Sequence, residues 1–129
     1  MSKHDSRKMA IKMLYIIDFN HITINEAFKH LEDEVIDDDA VKYVEGVLST
    51  DVDSVISNNL VNYTINRLNK VDLAIIRLAT YEMMKSDLAS SIIINEALKL
   101  TDEFSDEGNK KAVHFNNKLL DNIKKSLGR

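Results

Sequence analysis

Apolar residues recur along this chain at helical spacing, and the densest run is central. From Val71 to Met84 the only charged residues are Asp72, Arg77 and Glu82. At about 100° per residue these three fall on different sides of a helix. A helix with so little continuous polar face is predicted to lie buried in the middle of the fold. Strand is the poorer reading, because the run is long for a strand and Ala74, Ile75, Ile76, Leu78 and Ala79 show no alternation of period two. After the polar break Lys85, Ser86, Asp87, a second helix sets Ile93, Ala97, Leu100 and Phe104 on one face and Asn95, Lys99 and Asp102 on another. This one is amphipathic and should pack against the first.

The flanking sequence supplies five more helices. Residues 1–5 read as a mobile basic arm. A first helix then runs from about Ser6 to Phe19 with Ala10, Met13, Leu14 and Ile17 toward the core and Arg7, Lys8 and Lys12 outside, and Asn20 and His21 end it. Thr23 and Glu26 form a capping box for a short helix burying Ile24, Ala27, Phe28 and Leu31. Asp37, Asp38 and Asp39 open a third helix on Ala40, Val44, Val47 and Leu48, where Gly46 marks a close-packing point. A fourth starts within Thr50 to Asp53 and carries Val52, Val55, Ile56, Leu60 and Tyr63, followed by a turn over Asn66 to Lys70. Ser105 to Asn109, containing Gly108, read as a loop. The last helix spans roughly Lys111 to Leu127 with Ala112, Phe115, Leu119, Ile123 and Leu127 in register, and Gly128 stops it. The fold class is therefore all-α, a compact seven-helix bundle in a single domain over residues 1–129.

Composition narrows the chemistry. Three Gly and no Pro leave few turn residues for a many-stranded sheet, and the absence of Cys removes disulfide and thiolate chemistry. The apolar run Met13 to Ile17 is closed by Asp18, too short for a signal-peptide core or a membrane span, so a soluble cytoplasmic protein with no membrane partner is expected. His4, His21, His30 and His114 sit on separate elements with no i, i+4 pair, which argues against a zinc site. A calcium loop at Asp37 would need Gly where Lys42 stands. There is no Gly-rich phosphate loop, no G-x-S-x-G elbow and no carboxylate pair marked out as acid and base. No enzyme, metal or cofactor is indicated.

Charge points to binding instead. The formal net charge is -4, yet residues 1 to 12 carry Lys3, Arg7, Lys8 and Lys12 against Asp5 alone, and residues 110 to 129 carry Lys110, Lys111, Lys118, Lys124, Lys125 and Arg129 against Asp121 alone. Residues 31 to 59 hold nine acids and the single base Lys42. If folding brings the two ends together, a basic surface exists on an acidic protein; otherwise these are ordinary solvated helix faces. Single-stranded RNA is held by cations along its backbone and by flat side chains that stack on bases. Phe115, beside His114 and four residues after Lys111, suits such a stack, while its place on the helix seam suits burial equally well.

Arg67, Leu68, Val71, Asp72, Arg77, Leu78, Ala79, Tyr81, Glu82, Ile94, Asn95, Glu96 and Ala97 stand in an order and spacing that resembles the signature of the NusB family of bacterial transcription antitermination factors. The likeness extends to Lys3 through Arg7 leading to Met13, Leu14 and Tyr15, and to the run His114, Phe115, Asn116, Asn117, Lys118, Leu119, Leu120, Asp121. It implies a NusB-like helical domain that binds the boxA element of nascent ribosomal RNA transcripts together with ribosomal protein NusE, and so indirectly serves RNA polymerase and other Nus factors. By residue matching, Lys3, His4, Arg7, Lys111, His114, Phe115, Asn117 and Lys118 would contact RNA, and Tyr15 and Asp72 would lie on the NusE surface. Members of the family occur as monomers and as homodimers. The arginine cluster common near the family's N-terminus is thinned here to Lys3, His4, Asp5 and Arg7, which motivates an alternative: an adaptor of the same fold that acts through NusE with weak or no RNA binding.

Overall fold

The computed structural model describes residues 2–105 and 110–129, and its regular structure is helical throughout. The elements are α1 (Lys3–Asn20), α2 (Ile24–His30), α3 (Asp38–Ser49), α4 (Val52–Asn58), a single 3₁₀ turn (Ile65–Arg67), α5 (Lys70–Lys85), α6 (Ser90–Phe104) and α7 (Lys111–Ser126). The loop expected around Gly108 lies outside the described residues.

Helix α5 is the centre. It buries Leu73, Ala74, Ile75, Ile76, Leu78, Ala79, Thr80, Glu82 and Met83, and α1, α3, α4, α6 and α7 all pack on it. Its start is fixed by Asn69, whose side-chain oxygen accepts from the backbone N–H groups of Val71 and Asp72. Helix α1 runs antiparallel to it. Arg7, near the start of α1, meets Glu82 near the end of α5, while Asp18, near the end of α1, meets Lys70 and Arg77 in the first half of α5.

Local signals are obeyed where they were strongest. The Thr23 and Glu26 capping box forms, with Glu26 N–H donating to the Thr23 hydroxyl at 3.2 Å and Thr23 N–H donating to the Glu26 carboxylate at 3.2 Å. Asp37 caps α3 by accepting from Ala40 N–H at 2.8 Å. His21 closes α1 in the left-handed conformation, and Gly46 faces the ring of Tyr81.

Three expectations are corrected. Helix α1 begins at Lys3, capped by Ser2, so residues 3–5 are its first turn rather than a mobile arm. Helix α4 ends at Asn58 and does not reach Leu60 or Tyr63: Asn59 closes it, its side-chain amide donating to Val55 O at 2.8 Å, and the chain then turns through Asn62 at φ 56°. The buried face of α7 is turned from the predicted seam: Asn116, Leu119, Leu120 and Ile123 point inward, and Phe115 is 41% exposed. Asn116 is fully buried, and its amide donates to Thr101 Oγ1 at 3.0 Å and to Asp72 Oδ1 at 3.3 Å. That polar link ties α7 to α6 and to the first turn of α5.

Candidate nucleic-acid interface

The first turns of α1 present cations, and carboxylates of other elements meet them. Lys3 Nζ lies 2.9 Å from Asp39 Oδ2, Lys8 Nζ lies 3.3 Å from Glu103 Oε2, and Lys12 Nζ lies 2.7 Å from Glu34 Oε1. His4 sits between two acids of α6, with Nδ1 against Glu96 and Nε2 2.9 Å from Glu103 Oε1. Arg7, expected on the outside, points inward. Its Nε and Nη2 donate to the two oxygens of Glu82 at 2.9 and 2.8 Å, and the residue is only 7% exposed. The physical reason is register: position 7 falls on the same stripe as Ala10 and Leu14, three and seven residues on. Such a pair leaves Arg7 unsuited to an outside ligand, and we reassign it from RNA contact to anchoring α1 on α5. Lys3 keeps most of its side chain in solvent, at 65% exposure, and can exchange Asp39 for another anion.

The start of α7 is more open. Lys111, His114, Phe115, Asn117 and Lys118 are all exposed. Phe115 packs on Tyr63 with ring centroids 5.8 Å apart and planes tilted by 52°, and Arg67 lies over the other aromatic of this pair, its guanidinium carbon 5.2 Å from the Tyr63 centroid. The sequence placed Tyr63 in a helix core and Arg67 in the family signature, and assigned neither to the site. The available signal was the run of Asn58, Asn59 and Asn62, residues that favour leaving a helix.

The two basic segments come to the same end of α6 without joining. His4 and Lys8 reach Glu103, and Lys110, just ahead of α7, reaches Asp102 at 2.6 Å. Among the described residues no hydrogen bond or ion pair links the first turns of α1 directly to α7. The expected single cradle is therefore divided by acids of α6.

Of the two residues assigned to a protein partner, Tyr15 is half-buried and stacks on Phe19 at 5.6 Å, leaving Phe19 59% exposed. Asp72 is half-buried in the first turn of α5, where its carboxylate accepts from Asn116 and favours the helix dipole.

His4 makes the α1 to α6 contact sensitive to pH. The hydrogen bond that His4 donates to Glu96, with Glu103 adding to it and partial burial opposing it, holds the imidazole above its ordinary 6.5. A raised folded value means that the protonated form is favoured by folding. The stabilisation is fully present below about pH 6.5 and is lost as pH climbs through the higher folded value. We expect the unfolding midpoint in urea to fall between about pH 6 and pH 8 in the parent, and His4→Gln to flatten that fall. An unchanged slope in His4→Gln would show that the clasp does not titrate.

Comparison with known proteins places this geometry. Residues 4–125 match the NusB family. The chain belongs to the NusB family. A transcription antitermination protein NusB of Bacillus subtilis is 38% identical over 131 residues, covering 98% of both chains, and one of Listeria innocua is 34% identical, covering 95% of this chain and 96% of that one. Solved NusB structures share the fold. Thermotoga maritima NusB superposes with a TM-score of 0.84 at 28% identity, over 97% of this chain and 92% of that one. A chain from the crystal structure of antitermination factors NusB and NusE in complex with dsRNA superposes at 0.80 and 27% identity, over 98% of this chain and 99% of that one. The predicted all-α bundle is thus the NusB fold. No helix among the described residues is long and apolar enough to cross a membrane, and no group of three or more His, Cys, Asp or Glu among them could hold a metal ion.

Proposed function

We propose that this protein is a transcription antitermination factor that binds boxA-like single-stranded RNA in nascent ribosomal RNA transcripts together with NusE. The observation carrying the proposal is the match, over nearly the whole of both chains, to a protein solved in complex with NusE and RNA. Lys111, His114, Phe115, Asn117 and Lys118 form the main RNA surface, with Lys3 and His4 contributing from across α6. Tyr15 and Asp72 face NusE, and the acidic stretch 31–59 suits a basic ribosomal partner electrostatically. RNA polymerase and other Nus factors are reached through that complex, and the protein acts in the cytoplasm as a binding factor rather than an enzyme.

The test is a titration of boxA RNA, with and without NusE, across a salt series. Lys3, His4, Lys111 and Lys118 supply about four phosphate contacts, which predicts a slope of log affinity against log salt near about -3 for a single strand. A flat response removes the RNA claim. The second reading, an adaptor acting through NusE alone, is favoured by one observation: every cation of α1 is matched to a carboxylate. Retention of NusE without retention of RNA would establish it.

A further inference from the structure

Two cations beside the first half of α7, Lys118 and Arg67, differ from those of α1 in their surroundings. Lys118 and Arg67 have no carboxylate within ion-pair distance among the described residues, whereas Lys3, His4, Arg7, Lys8 and Lys12 all do. Between Lys118 and the segment after α4 lies a cleft of about 210 Å³, lined by Leu60, Val61, Tyr63, Phe115 and Asn122 among others, with no carboxylate in its wall. The turn at Asn62 sets its outer edge, leaving Val61 78% and Tyr63 40% exposed. Asn122 is half-buried, and its side-chain amide has no hydrogen-bond partner among the described residues.

We propose that this cleft receives an unstacked nucleobase of single-stranded RNA, held against the Tyr63 and Phe115 rings, with Arg67 and Lys118 on the flanking phosphates and Asn122 on the base edge. The inference rests on the RNA-binding reading above and adds to it a site centred on Tyr63 and Arg67. Three properties favour a base. Two flat rings stand half-exposed at a fixed tilt, and a guanidinium plane extends that platform on the Tyr63 side. The one charged residue lining the cleft among the described residues is the cation Lys118, with the Arg67 guanidinium beyond it at Tyr63, which suits a polyanion. The wall offers an amide able both to donate and to accept, as a Watson–Crick edge requires.

Fluorescence anisotropy with a short labelled single-stranded RNA, with and without NusE, tests the site. Tyr63→Leu and Phe115→Leu keep apolar volume and remove the ring, and each should weaken binding by on the order of tenfold. Tyr63→Phe should recover most of it, and thermal unfolding of each variant checks that the fold is intact. Lys118→Ala should lower the magnitude of the salt slope by about 0.7. The parent protein should also bind a strand with abasic positions more weakly than the intact strand. If the parent binds RNA and Tyr63→Leu matches it in a folded state, or if abasic and intact strands bind alike, the base site is wrong and the RNA reading stands. If the parent binds no RNA under either condition, both fall. Loss of NusE binding by Tyr63→Leu with RNA binding unchanged would make the cleft a protein-docking surface and overturn the proposal.

Discussion

Replacing Arg7 with methionine will destabilise the protein by about 3 to 5 kcal/mol, the range for breaking a buried ion pair from one side. The Arg7 and Glu82 side chains are 9% and 6% exposed, and two parallel hydrogen bonds join them. The guanidinium carbon also lies 5.6 Å from the Tyr43 ring centroid. The attraction within the pair is less important than what its loss leaves behind. Methionine fills much of the space but strands the Glu82 carboxylate among Ile75, Leu78, Ala79, Ile93 and Leu100, which line the same small cavity with Arg7 and Glu82. The double variant Arg7→Met, Glu82→Leu removes both charges and should recover most of the loss, since an apolar replacement of the whole pair is often neutral or better. Urea unfolding of the two single variants and the double gives the coupling directly. A loss below about 1 kcal/mol in Arg7→Met would mean that water reaches Glu82 and that the anchor is weaker than its geometry suggests.

Gly46→Ala is the second large effect, and its sign opposes helix propensity. In an open helix the change would stabilise by up to about 1 kcal/mol. Here a Cβ on Gly46 would come within 2.2 Å of Cζ and 2.4 Å of the hydroxyl oxygen of Tyr81, so α3 and α5 must separate or the ring must leave its place. Overpacking of this kind costs about 1 to 3 kcal/mol, and we expect a net loss of that order by thermal or urea unfolding. Shortening the opposing side chain separates the two contributions. In a Tyr81→Leu background the same glycine substitution should become neutral or stabilising, and a penalty that persists there would place the strain elsewhere.

Much of the architecture was legible because local and global signals agreed. The run from Leu73 to Met83 could only be a buried helix, Thr23 with Glu26 specified a helix start, and Gly46 specified a close approach. The candidate site was harder to read, because its residues violate the rule that charges face water and rings face the core. Arg7 goes in since its register on α1 and that of Glu82 on α5 bring opposite charges together, a fact visible only once the two helices are known to pair. Phe115 stays out because Asn116, a polar residue, takes the inward position through bonds to Thr101 and Asp72 supplied by two other helices. Tyr63 leaves the core because α4 stops at Asn58. For Arg7 and Asn116 the partners that satisfy an inward polar group are distant in sequence, and for Tyr63 the early end of α4 decides.

The antiparallel pairing of α1 with α5 also bears on how the chain is made. A helix that begins at residue 3 finds its buried ionic partner at residue 82, so synthesis delivers α1 long before α5 can cover its side of the pair. Until then Arg7 keeps its hydration, and the early helices have no central element to gather on. The order in which the ribosome releases this molecule is therefore not the order in which it closes, and the middle of the polypeptide sets the moment of closure.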